Sequence, residues 1–217
     1  MFKLMLKLLL FIVKFHIAHL YELQGNFTTA KELYLELLNE NNLTPTLRSE
    51  VFRQLGWMHY NVEALGEKQH RQRLALNYIL SSVQNNPDSS QSYYFLGRCH
   101  ASLSKIHDAF ISYRHSVEKA EANADTWCSI GNLYQQQNQP LDALQAYICS
   151  AQLKKDHEAA WTNLGTLYEN HGQVHDAYKC YIHATRRRGT KANPALVERL
   201  QFLKTALANF PQIAPSG

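Results

Sequence analysis

The chain has 217 residues, of which 22 are lysine or arginine and 18 are aspartate or glutamate, so its formal charge is +4 with neutral histidines. This basic excess is small for a nucleic-acid-binding protein, and a hydrophobic content of 45% excludes a disordered chain. The chain has only 9 glycines and 6 prolines, fewer than a turn-rich sandwich or barrel needs. The composition therefore favours a folded, helical protein.

Four kinds of residue recur with a spacing of 34 positions in the second half of the chain. They are an aromatic ring at Tyr93, Trp127 and Trp161, a glycine at Gly97, Gly131 and Gly165, an alanine at Ala109, Ala143 and Ala177, and a tyrosine at Tyr113, Tyr147 and Tyr181. A 34-residue period of this kind is the pattern of the tetratricopeptide repeat (TPR), a hairpin of two helices. It predicts an all-α fold, an α-solenoid of TPR hairpins.

Each of the four columns has a steric role in the predicted hairpin. We expect the Trp127 ring to fill the space between the two helices, and Gly131 to let the second helix approach closely. Ala143 is the small partner on the second helix, and Tyr147 is expected to pack towards the next repeat. In the following repeat, the residues expected to have the same structural roles are Trp161, Gly165, Ala177 and Tyr181.

Residues 1–14 form an apolar run with three lysines, which raises the question of a signal peptide or a membrane helix. Lys7 interrupts the run, and the stretch is shorter than the roughly 20 residues that a membrane span needs. No small-residue cleavage site follows Val13. We therefore interpret residues 1–10 as the truncated end of a preceding repeat, which leaves an apolar surface exposed on the first hairpin.

Two degenerate repeats follow this segment. The string FHIAHLYE at 15–22, with Ala30 and Tyr34 on the expected columns, predicts a repeat over residues 11–48. The next repeat, over residues 49–89, is anchored by Phe52, Leu55 and Gly56. Its small residue, Ala75, comes seven positions later than in the regular repeats, so we expect extra residues at 66–71 to loop out between its two helices.

Three regular repeats and a cap complete the predicted array. The regular repeats span residues 90–123, 124–157 and 158–191. The last of their helices is expected to end at Gly189, after the basic run Arg186 to Arg188, which suits the negative end of a helix dipole. A capping helix over residues 192–210 then opens at Pro194, and residues 211–217 form a tail. The apolar stripe of the capping helix consists of Leu196, Leu200, Leu203 and Leu207.

The eleven histidines raise the question of a metal site. Two pairs, His16 with His19 and His171 with His175, have helical spacing, but no HExxH motif occurs and no cysteine lies beside either pair in sequence. No histidine has the His-x-Asp or His-x-Glu pattern of a non-haem iron site, and the P-loop, GxGxxG and GxSxG motifs are absent. We therefore predict no metal, no cofactor and no catalytic residue, and hence a chain that is not an enzyme.

The four cysteines show no CxxC pair and no spacing typical of a zinc module or a disulfide framework. They are Cys99, Cys128, Cys149 and Cys180. This usage predicts free, buried thiols in a reducing compartment, and it gives no support for a metal or redox site.

The first helices of stacked TPR hairpins are expected to line a concave face. Counting from the anchor rings gives two inward rows, one of His19, Trp57, Arg98, Asn132 and Thr166, the other of Phe15, Arg53, Tyr94, Cys128 and Thr162. Such a groove suits an extended or helical peptide, with Trp57, Tyr94, Arg53 and Arg98 as the strongest candidate contacts. The alternative is that some of these residues only pack against neighbouring repeats.

The segment DTWCSIGNLYQQQNQP at 125–140, followed by DALQAYIC at 142–149, resembles the TPR region of the UTX/UTY histone lysine demethylases. The resemblance extends over nearly the whole chain through FHIAHLYE at 15–22, QLGWMH at 54–59, YFLGRC at 94–99, DAFISYR at 108–114 and LGTLYE at 164–169. Asn132, on the inward row, departs from the family, which is expected to have an apolar residue there.

The resemblance implies a nuclear chromatin regulator whose separate JmjC domain demethylates lysine 27 of histone H3, using iron and 2-oxoglutarate. Its TPR array docks the enzyme into COMPASS-like methyltransferase complexes, so the implied partners are protein subunits of chromatin-modifying complexes. Direct binding of nucleic acid, membrane or a small-molecule substrate is not expected. The alternative is the TPR subunit of a Cyc/Tup-type general transcriptional corepressor, which shares a WCSIG-LY segment. A glycosyltransferase TPR arm would need an asparagine ladder that the inner positions do not supply.

Overall fold

The structure, a computed structural model, describes residues 2–120, 123–186 and 193–209, with the side chains of residues 2–4 and 209 left aside. These ranges contain eleven α-helices, one short 3-10 turn at Glu63–Leu65 and no strand. The helices are α1 (Phe2–Leu23), α2 (Phe27–Leu38), α3 (Pro45–Asn61), α4 (Lys68–Asn85), α5 (Ser90–Ser102), α6 (Ile106–Lys119), α7 (Ala124–Gln136), α8 (Pro140–Leu153), α9 (Glu158–Asn170), α10 (Val174–Thr185) and α11 (Pro194–Asn209). The predicted all-α TPR fold is confirmed.

The chain divides into two compact units, Met1–Glu121 and Ala122–Gly217. In the first unit, consecutive helices pack as the hairpins α1–α2, α3–α4 and α5–α6. In the second, they pack as α7–α8 and α9–α10, and α11 lies against α10. None of the helices in the described residues is both long enough and apolar enough to cross a membrane.

Within each regular hairpin, a buried tyrosine of the second helix lies over a glycine of the first. A Cβ atom added at Gly131 would lie 2.5 Å from Tyr147 Cε1, so only glycine fits at this distance. Gly97 and Gly165 meet the rings of Tyr113 and Tyr181 in the same way. The glycine column therefore sets the close approach of the two helices, and the tyrosine column fills it.

The aromatic rings of the repeats are buried to different depths. Trp127 and Trp161 are only half-buried, and Trp161 stacks on His183 of the second helix of its own hairpin with ring centroids 4.4 Å apart. Tyr147 packs on the glycine of its own hairpin as well as in a cluster with Ala160 of the next repeat. The tyrosine is the main filler of the hairpin because its ring is fully buried.

Short turns with one left-handed residue join the helices of four hairpins. The left-handed residues are Gly25 (φ 79°), Ser104 (φ 58°), Asn138 (φ 56°) and Gly172 (φ 74°). In each turn the following amide closes a wide backbone hydrogen bond, as in Gln139 N–H to Tyr134 O at 2.9 Å. Only glycine adopts this conformation without steric cost, so Ser104 and Asn138 carry strain that Gly25 and Gly172 do not.

Replacing Ser104 by glycine is expected to raise the free energy of unfolding by about 1 kcal/mol, because glycine removes the steric cost of the left-handed conformation. The Ser104 side chain is exposed, so little packing is lost. Urea unfolding followed by circular dichroism measures the change. Ser104→Ala is the matched control and should not stabilise, since alanine keeps the Cβ; equal stabilisation by both variants would contradict the explanation.

The second hairpin has its extra residues at a different place from the expected one. The sequence suggests a loop at residues 66–71, whereas the connection runs from Val62 to Glu67 and Lys68 already begins α4. The added first turn of α4 is held by Arg71, whose guanidinium donates to the carbonyls of Gly66 and His59 at 2.8 and 3.1 Å. The bond to His59 satisfies a carbonyl in the last turn of α3, and the bond to Gly66 holds the connection, so the insertion is compatible with the hairpin.

The N-terminal helix also differs from the expected boundary. α1 runs without a break across residue 10, where the sequence suggests the end of a preceding repeat. Phe11, Phe15 and Ala18 face the core. The opposite side of α1 exposes large apolar residues, including Leu9 (61%) and Leu20 (56%). The helix therefore presents an apolar outer face, as expected for this segment.

The C-terminal helix α11 begins at Pro194, the residue that the sequence suggests. Leu196 and Leu203 are buried, and Leu200 packs in the same cluster against Tyr181 of α10. The expected helix end at Gly189, Arg187 and Arg188, and the tail at 211–217 lie outside the described residues.

Candidate peptide-docking surface

The predicted contact residues of the first unit lie on α3 and α5. Arg53 and Trp57 are one turn apart on α3, and Tyr60 follows at the next helical spacing. Tyr94 and Arg98 are one turn apart on α5. All five side chains are half-buried. We call these five residues the α3–α5 surface.

Arg98 joins the two helices of this surface. The Cζ atom of its guanidinium lies 4.7 Å from the centroid of the Tyr60 ring and 5.9 Å from that of Tyr94. Both distances are within the range of cation–π interaction. The structure thus brings Arg98 and Tyr94 together, as the sequence suggests, and adds Tyr60.

Among the described residues, the charge on Arg98 has no acidic partner. In the described part of the chain, no carboxylate lies within 4 Å of its guanidinium nitrogens. Burial lowers the pKa of Arg98, but the neighbouring Tyr94 and Tyr60 raise it by more, so the net pKa lies above its usual value. The guanidinium is therefore a permanently charged, partly desolvated cation.

Arg53 has a different environment. Burial lowers the pKa of its guanidinium, and the nearby Glu50 carboxylate partly offsets that effect. Because Glu50 already neutralises part of its field, Arg53 is the weaker of the two cations towards an external anion.

The aromatic residues of the α3–α5 surface also pack against buried residues of the first unit. Trp57 packs against the core cluster that contains Tyr34 and Met58. Tyr94 lies 6.2 Å from the buried ring of Tyr113, measured between ring centroids. Each ring thus packs against its own unit and also keeps an exposed part.

A hydrogen-bonded network lies where α1 meets α3. Glu22 is buried and accepts hydrogen bonds from Tyr34 Oη at 2.8 Å and from His19 Nδ1 at 3.1 Å, with the proton placed on that nitrogen. Gln54 Nε2 approaches the same histidine nitrogen at 3.5 Å. The only buried carboxylate in the described residues is therefore satisfied within the unit and does not oppose Arg98.

Asn132, the remaining predicted contact residue, lies on α7 in the second unit and is exposed. Its Oδ1 accepts hydrogen bonds from Tyr147 Oη at 2.7 Å and from Asn163 Nδ2 at 2.8 Å. The Tyr147 hydroxyl also approaches Gln135 Oε1, at 2.8 Å. The structure thus gives Asn132 a role in positioning the buried tyrosine, in addition to any role in binding.

The histidines and cysteines have structural surroundings. His171 Nδ1 lies 2.8 Å from the carbonyl oxygen of Leu167. Burial raises the pKa of Cys99 to about 12 and that of Cys128 to about 11, so both thiols stay protonated at neutral pH. Across the ranges that the structure describes, no three histidine, cysteine or acidic side chains come together in a way that could hold a metal ion.

Comparison with known proteins agrees with this architecture. The family model of the tetratricopeptide repeat matches residues 13–42 and 158–190. The chain contains tetratricopeptide repeats. The crystal structure of TTC0263, a thermophilic TPR protein in Thermus thermophilus, is similar with a TM-score of 0.68 at 16% identity, over 90% of this chain and 99% of that one. At this identity the likeness shows the fold alone.

Two curated relatives match a shorter stretch. A segment of 75 residues, 35% of this chain, is 32% identical to the general transcriptional corepressor trfA of Dictyostelium discoideum and covers 5% of it. A segment of the same length is 36% identical to the general transcriptional corepressor ssn6 of Schizosaccharomyces pombe and covers 6% of it. The chain thus spans a small part of these relatives, whose names agree with the corepressor interpretation better than with the demethylase one.

Proposed function

We propose that this chain is the protein-docking part of a nuclear complex that regulates transcription. The observation that carries the proposal is the α3–α5 surface, in which half-buried rings and a cation without an acidic partner lie on the first helices of TPR hairpins. The corepressor names of the two curated relatives support a role in transcription. The chain's own task is to bind partner proteins, without chemistry.

The first candidate is the TPR subunit of a general transcriptional corepressor of the Cyc/Tup type. It is supported by the relatives from two distant organisms, each of which matches 35% of this chain. In this case the partner is a Tup-type subunit, and the complex acts by repression.

The second candidate is the TPR scaffold of a UTX-like demethylase that docks into a COMPASS-like methyltransferase complex. It is supported by the string DTWCSIGNLYQQQNQP at 125–140 and the continuation DALQAYIC, which are far more specific than the TPR pattern requires. In this case the partners are methyltransferase subunits, and the demethylase chemistry belongs to a separate domain.

An affinity purification from nuclear extract separates the two candidates. The tagged full chain is recovered and the bound proteins are quantified by mass spectrometry, with a TPR protein of similar net charge as the control. Enrichment of a Tup-type subunit supports the first candidate, and enrichment of COMPASS-like subunits supports the second. If neither class is enriched over the control, or if the tagged chain is excluded from nuclei, the proposed function is wrong.

The purified chain is expected to leave a trimethylated histone H3 peptide unchanged in the presence of iron and 2-oxoglutarate. The reason is that the sequence contains no His-x-Asp or His-x-Glu pattern for binding iron. Mass spectrometry of the peptide measures the result. Loss of a methyl group that requires both iron and 2-oxoglutarate would contradict this expectation.

A further inference from the structure

We propose that Arg98 binds an aspartate or glutamate side chain of a partner protein, in a segment whose apolar residues pack on the neighbouring rings. The inference rests on the proposed docking function and names the chemistry of the partner. It commits to an internal acidic residue of the segment as the occupant of the α3–α5 surface.

The guanidinium of Arg98 lies against two aromatic rings. The ring of Tyr60 lies 4.7 Å from Arg98 Cζ, and the ring of Tyr94 lies 5.9 Å from it. A guanidinium that stacks on rings keeps the N–H groups at its edge, where they form a planar fork that matches a carboxylate. The stacking also restricts the side chain before any partner arrives, which lowers the entropic cost of binding.

Two other arginines of the same unit, Arg48 and Arg71, are used differently. Arg48 donates to the carbonyl oxygens of Leu38 and Glu40 at 3.1 and 3.0 Å, and Arg71 donates to the carbonyl of Gly66 at 2.8 Å. Both therefore serve as caps of helix ends. No carboxylate or carbonyl oxygen in the described residues accepts a hydrogen bond from Arg98. The side chain of Tyr60 also interacts with the guanidinium of Arg98. Arg98 thus differs from Arg48 and Arg71, which use their N–H groups on backbone carbonyls.

The charges on the α3–α5 surface suit a single carboxylate better than a run of phosphates. The surface combines one cation that lacks an acidic neighbour, Arg98, with a second cation, Arg53, whose field Glu50 partly cancels. A run of phosphates is bound by several cations that act together, whereas a single carboxylate needs one fork. The half-buried rings of Trp57, Tyr60 and Tyr94 favour an apolar or aromatic residue beside the carboxylate. Charge and shape together therefore favour an acidic peptide over a nucleic acid.

The test uses peptide selection on the purified full chain. A displayed library of random 12-residue peptides, free of any exposed C-terminal carboxylate, is selected on the wild-type protein and in parallel on Arg98→Gln. We expect the wild-type selection to enrich aspartate or glutamate next to an aromatic or aliphatic residue, and the Arg98→Gln selection to lose the acidic enrichment. Arg114→Gln is the matched control, because Arg114 is an exposed arginine that pairs with Glu118 at 3.1 Å on α6.

A thermodynamic cycle on one selected peptide gives a result that does not depend on how well the variant folds. On the wild-type chain, replacing the peptide's acidic residue by its amide is expected to weaken binding about tenfold or more, as for a charge-assisted hydrogen bond. On Arg98→Gln the same peptide change should have little effect. Arg98→Lys, which keeps the charge without the fork, should recover only part of the affinity.

Several outcomes would overturn the inference. These are selected peptides without acidic enrichment, equal enrichment on Arg98→Gln, or an unchanged effect of the amide replacement on that variant. Arg98-dependent binding of a fluorescent single-stranded oligonucleotide with no acidic peptide selected would assign the surface to nucleic acid instead. If peptides are selected but show no acidic preference, only this inference fails. If no peptide is selected on either protein, the proposed docking function fails with it.

Discussion

Replacing Tyr147 by alanine is expected to lower the free energy of unfolding by about 3 to 5 kcal/mol, the range for an aromatic residue lost from a well-packed core. The ring is fully buried between α7 and α8, and its hydroxyl lies within hydrogen-bonding distance of Asn132 and Gln135. Chemical denaturation followed by circular dichroism measures the loss. Tyr147→Phe removes only the hydroxyl and should cost about 1 kcal/mol. Tyr21→Ala, at an exposed tyrosine, is the control and should cost little.

The same contact predicts an unusual double-mutant cycle with Gly131. On its own, Gly131→Ala should destabilise by about 1 to 3 kcal/mol, because the new Cβ would lie 2.5 Å from the Tyr147 ring. In the Tyr147→Ala background that clash is gone, and alanine should become neutral or stabilising by up to about 1 kcal/mol through its helix propensity. If Gly131→Ala costs the same in both backgrounds, the glycine is not explained by the tyrosine.

Acidification from pH 6.5 to pH 4 is expected to destabilise the chain by about 2 to 3 kcal/mol through His59 alone. Burial, with the positive charges of Lys31, His70 and Arg71, lowers the pKa of His59 from 6.5 to about 4. Between these values the unfolded chain binds a proton that the folded chain excludes, so stability falls as the pH falls. The full contribution is present above pH 6.5. Urea midpoints across this range measure the effect.

His59→Phe separates this effect from general acid sensitivity. Neither ring nitrogen of His59 has a hydrogen-bond partner in the described structure, and the ring stacks on Tyr78 with centroids 5.5 Å apart. A phenylalanine keeps the stacking and removes two unsatisfied polar atoms, so the variant should match or exceed the wild type at pH 7 and lose less stability at pH 5. His16→Gln, at an exposed histidine, is the control. A pH dependence that is unchanged in His59→Phe would contradict the assignment.

The repeat architecture could be predicted from the sequence because steric requirements act at fixed spacings. The 34-residue period depends on the contact of a glycine with a large residue one helix away, and this contact recurs at Gly97, Gly131 and Gly165. Pro194 likewise predicts the start of α11, since proline is tolerated in the first turn of a helix. In the degenerate second repeat, Ile79 lies over Gly56 in place of a tyrosine. The contact between a glycine and a large residue is therefore kept in this repeat, although the large residue is not a tyrosine.

The hydrogen bonds that hold the tyrosine hydroxyls could not be predicted from the steric pattern. In three hairpins a polar residue lies four positions after the small residue of the first helix. These residues are Glu22, Gln135 and Glu169, and each lies within hydrogen-bonding distance of the hydroxyl of the tyrosine in its own hairpin. These positions are polar in sequence and look like ordinary surface residues. The recurrence of Glu or Gln at this offset is the signal that could have indicated them. Asn132, one turn before Gln135, lies close to the same hydroxyl and accepts a hydrogen bond from it.

The candidate site is only partly accessible to sequence reasoning. The spacing of TPR anchors places Arg98 and Tyr94 on one face of α5, because that relation lies within a single helix. The contact of Arg98 with Tyr60 depends on the distance between α3 and α5, which no local pattern encodes. The end of the α3–α4 connection likewise differs from its expected place, because Arg71 in the first turn of α4 bonds the carbonyls of His59 on α3 and Gly66 in the connection.

The apolar outer face of α1 is expected to lower the solubility of the protein in concentrated salt. Most of the exposed residues of α1 are apolar, while the formal charge of the whole chain is only +4, so electrostatic repulsion between molecules is weak. Kosmotropic anions such as sulfate strengthen the burial of apolar surface. Salting-out should therefore begin at this helix, at lower sulfate concentrations when Leu9 and Leu20 are present than when both are replaced by lysine.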